Sequence, residues 1–307
     1  MPEIVFISGC SSGIGLATAM LLAHDPQKRF LVYATVLKPP AEEAEFKKRA
    51  EGALNETLFP IQMDVTKEEM IGDAVAMVMK KHSRIDILIN IAGLNLFDIT
   101  EYVSSRAMRR VFDVNFFGTV RVTQEVLPIM KRQRSGRIIN MGSVHGLVAF
   151  PYMGLYGATK QAIVAFSQEI AVIGRFFNIR VSVIEPGGVN TAIMENMIAQ
   201  QLGGEQSIRS HPDVGDIDRT LSTCFDHGED FHSDLLSPSQ IQEPEDIAEL
   251  ILKVATEEKP HFRYQTSQAC RNLAERFFKD VTGDSFIEFQ VRELESFRRK
   301  VEESAGK

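Results

Sequence analysis

Short runs of β-branched and apolar residues alternate with longer helical patterns along most of this chain. The runs are EIVFIS at 3–8, FLVYATV at 30–36, LFPIQM at 58–63, IDILIN at 85–90, GRIINM at 136–141 and IRVSVIEP at 179–186. Strands that alternate with helices form βαβ units, which place the strands parallel in one sheet. Several runs are apolar at every position, as expected of strands covered by helices on both faces. The pattern predicts a doubly wound α/β fold of the Rossmann type.

The segments between these runs carry the helical patterns that link one parallel strand to the next. Such patterns begin near Gly13, Ala41 and Thr66, end near His24 and Met130, and include Tyr156. Later, EPEDIAELILKVATEE opens with Pro244 and two acids, as helices do, and residues 284–303 have one apolar stripe. The pattern predicts a single domain, residues 1–307, that ends in helices.

Residues 191–243 interrupt this regularity. The segment is rich in Gly, Asp, His and Ser, with scattered apolar positions such as Met194. So long an irregular insertion in a compact domain is usually functional, and we expect it to cover a bound substrate as a lid. Its acid-rich part, DHGEDFHSD at 226–234, has the residue types of a metal site. Acidic loops without a metal are far commoner, so we expect no metal.

Composition and charge exclude several classes of protein. The chain is 44% hydrophobic and 24% charged, and its formal net charge of -7 disfavours a nucleic-acid partner, because that binding needs clustered Lys and Arg. The three cysteines lack the paired spacing of a zinc site or a disulfide framework. The stretch MPEIVFISGC has no basic region and too short an apolar run for a signal peptide, so we expect no secretion signal there. No apolar run reaches the roughly 18 residues of a membrane span. We expect a cytoplasmic protein without a transmembrane helix, for which peripheral membrane contact stays an open alternative.

A glycine-rich segment, SGCSSGIG at 8–15, connects the first strand to the first helix. Gly9, Gly13 and Gly15 have no β-carbon, so the chain turns tightly and a pyrophosphate can approach its main chain. The free N–H groups and the dipole at the start of the helix favour such an anion. The segment predicts a dinucleotide-binding site, with a purely structural turn as the alternative.

The end of the second strand indicates which dinucleotide binds. NAD-binding folds usually have an acid there for the ribose 2′-hydroxyl, whereas residues 35–38 of this chain read TVLK. Without a carboxylate to repel it, a 2′-phosphate can be bound by Lys38 and by the hydroxyl of Ser11 or Ser12. We therefore expect NADP(H). The alternatives are NAD as the cofactor and Lys38 as a solvated surface residue.

The stretch YMGLYGATK at 152–160 places Tyr156 four residues before Lys160. On a helix, positions i and i+4 share a face, so the phenol and the ammonium lie within reach of each other. Because this spacing often arises by chance, it does not identify a catalytic pair by itself.

Six motifs in order identify a family that this chain resembles. They are GCSSGIG at 9–15, NIAG at 90–93, DVNFFGT at 113–119, GSVHG at 142–146, YGATK at 156–160 and EPGGVNT at 185–191. Their order and spacing resemble the short-chain dehydrogenase/reductase family, and the subgroup of 17β-hydroxysteroid and photoreceptor retinol dehydrogenases within it. Two positions depart from the pattern. Ser8 replaces a usual Thr, and Leu37 replaces an Arg of the steroid enzyme, which weakens the NADP prediction.

The resemblance implies a role for each of four residues. Tyr156 would be the general acid and base at the substrate oxygen, and Lys160, with the positive nicotinamide of the oxidised cofactor, should lower its pKa. Ser143 would hydrogen-bond the same oxygen as charge builds there. Asn115 would hold a water that links the lysine to solvent. Taken singly, Ser143 is better explained as a helix-entry or turn serine, and Asn115 as a polar residue inside a helix. Their joint presence in the order of the family favours the catalytic roles.

The resemblance also implies two sets of contact residues. The cofactor-binding set is Gly9, Ser11, Ser12, Gly13, Ile14, Gly15, Lys38, Asp64, Val65, Asn90, Ala92, Gly93, Tyr156, Lys160, Pro186, Gly187, Val189 and Thr191. The substrate set is Ser143, His145, Leu147, Phe150, Tyr156 and Met194. For His145, a loop histidine without a part in the reaction is the alternative.

The implied activity is NADP(H)-dependent interconversion of a hydroxyl and a carbonyl on a bulky apolar molecule. The resemblance suggests a retinoid or a 17-keto/17β-hydroxysteroid, and FRYQT at 262–266 is closer to the retinol enzyme. The alternatives are a broad carbonyl reductase and a catalytically idle dinucleotide-binding scaffold or redox sensor. By analogy we expect a homodimer formed through the helices that contain Phe116 and Ala162.

Overall fold

The computed structural model describes residues 1–38, 44–98, 100–191, 241–280 and 282–284, together with 287–289, 291–292, 295–296, 299 and 303. These residues contain a seven-stranded sheet in which every described strand pair is parallel. Its strands are β1 (Glu3–Ser8), β2 (Phe30–Val36), β3 (Leu58–Gln62), β4 (Ile87–Asn90), β5 (Gly136–Met141), β6 (Ile179–Glu185) and β7 (Arg263–Gln265).

The strand order is β3-β2-β1-β4-β5-β6-β7, so the direction of winding reverses between β1 and β4. Val5 of β1 pairs with Val32 on one side and with Ile87 on the other. In open α/β sheets a ligand binds where the order reverses, beyond the carboxyl ends of the strands. Ser8 and Asn90 are paired at that end of the crevice.

Helices cover both faces of the sheet and bury its apolar strands. One core joins β1 and β2 to helices α1 and α7, and the other joins β4 and β5 to α3, α5 and α6. The helices are α1 (Gly13–Ala23), α2 (Ala44–Arg49), α3 (Glu68–His82), α4 (Ser105–Phe112), α5 (Gly118–Gln133), α6 (Gly154–Gly174), α7 (Pro244–Thr256) and α8 (Gln268–Lys279). The predicted doubly wound fold is confirmed.

The predicted long helix ending near Met130 is two helices joined by one π-turn, Asp113–Phe117. A π-turn adds one residue to a helical turn, and such turns are frequent at functional sites. This one carries Asn115, whose side chain is fully buried. The apolar periodicity of the segment continues through the turn, which is why the sequence pattern did not reveal it.

Two elements near the carboxyl end were not predicted. Strand β7 lies beside β6, where the buried Glu185 carboxylate accepts hydrogen bonds from Arg263 and Gln265 at 2.6 Å each. Helix α8 begins after Ser267, whose hydroxyl accepts from the Cys270 N–H at 3.2 Å. Because β7 has three half-buried residues and no fully buried apolar one, its sequence carries no strand pattern.

Several predictions fall outside the described residues. Residues 192–240, which hold most of the predicted lid together with Met194 and the acid-rich stretch, lie outside them, as do half of residues 284–303. The lid and the single-domain boundary stay predictions. None of the helices in the described part of the chain combines the length and the apolarity needed to cross a bilayer.

Candidate active site

The turn between β1 and α1, residues 9–15, is called the glycine turn here, and it has no room for side chains at two positions. Gly9 has a φ of +81°, and a β-carbon there would lie 2.6 Å from the main chain of Ala92 in the loop after β4. A β-carbon on Gly15 would lie 2.0 Å from the Gly9 carbonyl oxygen. Because both positions are glycine, the main chain of the turn can pack directly against the main chain of the β4 loop and of the start of α1.

Hydroxyl groups flank the glycine turn near the end of β2. Ser12 is exposed just before α1, and its side chain makes no capping bond to the described helix. The Ser11 hydroxyl accepts a hydrogen bond from the Leu37 N–H at 3.0 Å, which leaves its own proton to donate. Lys38 is exposed beside Leu37. This corner therefore offers two hydroxyls and an ammonium to an anion.

The loop after β6 returns to the glycine turn. A β-carbon on Gly13 would lie 3.1 Å from the Thr191 methyl carbon. At the start of the same loop, the Pro186 carbonyl accepts a hydrogen bond from the Val144 N–H at 2.9 Å. Val189 is buried. One loop thus contacts both the predicted dinucleotide turn and the segment that follows β5.

Of the predicted cofactor-binding residues, Asp64 and Val65 follow β3, and Asn90 ends β4. Asp64 accepts two hydrogen bonds from Thr66, at 2.9 and 2.8 Å, and Val65 is buried. The Asn90 amide donates to Thr123 at 3.1 Å and to Asn140 at 2.9 Å. The Asn90 side chain is therefore held inside the sheet, and a cofactor contact from this position has to involve its main chain.

Asn115 ties the loop after β4 to helix α6. Its Oδ1 accepts from the Leu94 N–H at 2.7 Å, and its Nδ2 donates to the Leu94 carbonyl at 2.9 Å and to Thr159 at 3.1 Å. A β-carbon on Gly93 would lie 3.4 Å from Asn115 Oδ1 and 3.7 Å from Lys160 Nζ. Thr159 is part of the YGATK motif, and Leu94 directly follows the NIAG motif. Nothing in the sequence pattern indicated that these two residues form hydrogen bonds with Asn115.

Ser143, Tyr156 and Lys160 meet at the carboxyl end of β5. Ser143 is buried just after the strand, and its hydroxyl lies close enough to the Tyr156 phenol to lower the pKa of that phenol by hydrogen bonding. Lys160 is buried one turn further along α6, and its Nζ donates to the carbonyl of Met141 at 2.9 Å. Nζ lies 5.7 Å from the centre of the Tyr156 ring. The structure brings together the three residues that the YGATK and GSVHG motifs suggested.

Comparison with known proteins shows the family. A family model described as short chain dehydrogenase matches residues 3–202. The chain belongs to the short-chain dehydrogenase family. Retinol dehydrogenase 8 of Homo sapiens is 36% identical over 93% of this chain and 88% of that protein. 17-beta-hydroxysteroid dehydrogenase type 1 of Homo sapiens is 34% identical over 95% of this chain and 85% of that protein.

Solved structures support the same fold for this short-chain dehydrogenase. The structure of ElxO with NADP bound has a TM-score of 0.68 and 23% sequence identity, and the match covers 89% of this chain and all of ElxO. At this identity the likeness concerns the fold alone.

Burial changes the acidity of both titratable groups in this short-chain dehydrogenase. It raises the pKa of Tyr156 to about 12, although the hydrogen bond with Ser143 acts in the opposite direction. It lowers the pKa of Lys160 to about 8. The expected lowering of the Tyr156 pKa is therefore not found in the chain alone, because removing the phenolate from water costs more than the hydrogen bond with Ser143 recovers. A protonated phenol is suited to donating a proton.

Four of the six predicted substrate residues, Ser143, His145, Leu147 and Phe150, lie in the segment that follows β5, residues 143–150, called the serine turn here. Tyr156 lies on α6, and Met194 lies outside the described residues. Leu147 and Phe150 are buried in a cluster with Cys270 and Leu273 of α8. The Phe150 ring centre lies 4.7 Å from that of His145. The structure thus places Leu147 and Phe150 in one buried cluster and the Phe150 ring against His145. Substrate contact stays a prediction for all three. The sequence pattern missed Cys270 and Leu273, which lie more than a hundred residues further along the chain.

Proposed function

We propose that this short-chain dehydrogenase interconverts a hydroxyl and a carbonyl on a bulky apolar molecule, with NADP(H) as its cofactor. The observation that carries the proposal is the meeting of Ser143, Tyr156 and Lys160 beside the glycine turn. A dinucleotide-binding scaffold without catalysis has no need of a buried phenol and a buried ammonium together, since burial of both is costly.

The residues at the crevice fit a dinucleotide phosphate. The glycine turn offers main-chain N–H groups and closely spaced main chain at the start of α1, which suits a pyrophosphate. Ser11, Ser12 and Lys38 would hold the 2′-phosphate. The loops 90–93 and 186–191 would hold the nicotinamide end near Lys160. When bound, the cofactor supplies the hydride for reduction or accepts it in oxidation.

In the direction of reduction, the Tyr156 phenol donates its proton to the substrate oxygen and becomes a phenolate. The Ser143 hydroxyl donates a hydrogen bond to the same oxygen while charge develops on it. The Lys160 ammonium lies close enough to stabilise the phenolate, and Asn115 keeps α6 against the β4 loop. With a pKa of about 12, Tyr156 holds its proton at neutral pH, so the chain alone is prepared for reduction.

The substrate is proposed to be a retinoid or a steroid. Support comes from the names of the two curated relatives, one a retinol dehydrogenase and one a 17-beta-hydroxysteroid dehydrogenase, and from the apolar cluster beneath the serine turn. Burying a large hydrocarbon skeleton contributes about 25 cal/mol per Å². A broad carbonyl reductase that prefers small polar aldehydes would gain little from such surroundings.

A homodimer formed through α5 and α6 is part of the proposal. Exposed apolar side chains in or next to these helices include Phe117 just before α5, Val172 in α6 and Phe176 just after α6, at 47%, 66% and 74% exposure. Exposed apolar patches of this kind often mark subunit interfaces. Sedimentation velocity should give twice the monomer mass, and Val172→Glu should shift the population toward the monomer.

Tyr156→Phe tests the proposed chemistry. The variant keeps the ring and removes the transferable proton, so the chemical step should slow by about 10²–10⁴-fold, while the Kd for NADPH stays unchanged. Tyr264→Phe is the control, because Tyr264 lies in β7 and its phenol donates a hydrogen bond to the Glu257 carboxylate at 2.6 Å. A Tyr156→Phe enzyme with a near wild-type single-turnover rate would contradict the proposal.

A further inference from the structure

His145 has a fixed position beside the catalytic pair. It lies two residues after Ser143, and its main-chain N–H donates to the Ser143 hydroxyl at 3.2 Å. A β-carbon on Gly157 would lie 3.1 Å from the His145 carbonyl oxygen, and one on Gly146 would lie 3.1 Å from the Lys160 carbonyl oxygen. The serine turn therefore packs directly on helix α6, and His145 cannot shift without moving Ser143.

The imidazole of His145 lies between two aromatic rings. Its centre is 4.7 Å from that of Phe150 and 5.6 Å from that of Tyr156, with interplanar angles of 69° and 74°. These are edge-to-face contacts, which hold aromatic rings in a defined orientation. One neighbour belongs to the apolar cluster and the other is the proton donor, so the imidazole stands where the apolar surroundings meet the reacting oxygen.

One ring nitrogen of this imidazole makes no hydrogen bond within the described chain. Nδ1 is buried and has no hydrogen-bond partner among the described residues. Burial, with a smaller effect of the Lys160 charge, lowers the pKa of His145 to about 3, so at neutral pH the ring has one N–H donor and one lone pair. A leucine or phenylalanine would fill this place without leaving a buried polar atom unpaired.

We propose that His145 determines which carbonyl compounds react, by hydrogen-bonding a second polar group of the substrate. This inference rests on the proposed function and narrows it. Because the imidazole is in contact with the Tyr156 ring, the second group has to lie within a few bonds of the carbonyl that Tyr156 protonates. The substrate class is an apolar molecule with a hydroxyl on a carbon next to the reacting carbonyl.

The proposed hydrogen bond would let the enzyme discriminate between a hydroxylated substrate and an analogue that lacks the hydroxyl. A site built to hydrogen-bond a substrate hydroxyl rejects such an analogue, because its own polar group is then left unpaired. Retinal has only hydrocarbon beside its aldehyde, whereas a ring ketone of a steroid can carry a neighbouring hydroxyl. Within the two proposed classes, the inference therefore favours a hydroxylated steroid ketone.

A matched pair of ligands tests the inference. The pair is a C18 steroid 17-ketone and the same ketone with a hydroxyl at C16, and kcat/KM is measured for both with NADPH. We expect the hydroxylated ketone to be favoured at least about tenfold by the wild type, and the ratio to fall to about one in His145→Leu. His145→Gln, which keeps a donor and an acceptor, should retain part of the preference.

His261→Leu is the control variant, because His261 is an exposed histidine whose ring lies 5.9 Å from that of Tyr264, outside the site. Its ratio should equal that of the wild type. A wild-type ratio near one, or an unchanged ratio in His145→Leu, would overturn the role of His145 while turnover of both ketones upholds the proposed function.

Binding separates the two proposals if neither ketone is turned over. The Kd of each ketone is then measured on the Tyr156→Phe enzyme with NADPH, with and without His145→Leu. A preference for the hydroxylated ketone that His145→Leu abolishes would support the role of His145 and leave only the proposed reaction contradicted. Equal Kd values, or no binding of either ketone, would overturn the role of His145 as well.

Discussion

The glycine turn and the serine turn lie at the same edge of the sheet, but they are built in opposite ways. In the glycine turn, Gly9 and Gly15 are places where a side chain would collide with main chain, so the turn offers shape and N–H groups. The serine turn instead presents hydroxyl, imidazole and apolar side chains, and its apolar residues pack against α8. The first suits a cofactor part that all dinucleotides share, and the second suits a particular substrate.

The largest effect on cofactor binding is expected from filling the glycine turn. In Gly9→Ala the new methyl group would meet Ala92 at 2.6 Å, and relief of that contact moves the β4 loop. NADPH binding should weaken by about 10- to 100-fold, which corresponds to about 1.4–2.8 kcal/mol of overpacking. Fluorescence titration of NADPH measures this loss.

Gly52→Ala is the matched control for this prediction. Gly52 has the same φ of +81° but open space where the β-carbon would stand, so its variant carries the backbone strain without the collision. An equal loss of NADPH affinity in both variants would show that general strain, rather than the contact with Ala92, governs binding.

A smaller effect is expected from charge at the end of β2. Val36 is 1% exposed and lies in the core, whereas Leu37 is 59% exposed and its N–H donates a hydrogen bond to Ser11. A carboxylate that is introduced to test the cofactor preference should therefore replace Leu37. Leu37→Asp should repel the 2′-phosphate and weaken NADPH binding about tenfold, which is about 1.4 kcal/mol, with little change for NADH. Leu37→Asn is the neutral control. Equal losses for the two cofactors would argue against a 2′-phosphate near residue 37.

The smallest effect is a pH dependence carried by Lys160. Its pKa of about 8 means that the ammonium which stabilises the phenolate is lost above that pH. The single-turnover rate of reduction should fall about fourfold between pH 7 and 8.5, and Lys160→Met should lack this dependence. A falling limb that persists in Lys160→Met would assign the titration to another group.

Stability should respond to the same titration in the opposite direction. The folded pKa of Lys160 is lowered from 10.5 to about 8, so between these values the unfolded chain binds more protons than the folded one. The free energy of unfolding contributed by this group should therefore rise with pH across that window. Urea unfolding at pH 8 and 10, compared between wild type and Lys160→Met, measures the contribution.

The same contrast explains how much could be predicted from sequence. Glycine spacing and the i, i+4 relation of Tyr156 and Lys160 are local properties of the main chain, so both could be predicted. The buried cluster that contains Leu147 and Leu273 joins distant segments, and no periodicity in the sequence indicates it. The π-turn at Asn115 adds a single residue, and the raised pKa of Tyr156 depends on burial. Neither the π-turn nor the raised pKa could be predicted from a local sequence pattern.

The central claim is that this chain reduces a bulky apolar carbonyl with NADPH. The most direct measurement is kcat/KM for all-trans-retinal, a C18 17-keto steroid and propanal, each with NADPH and with NADH. We expect NADPH to be preferred, and at least one of the two large substrates to exceed propanal about tenfold or more, which requires about 1.4 kcal/mol of additional transition-state binding. A preference for propanal, or no turnover of any of the three, would contradict the claim.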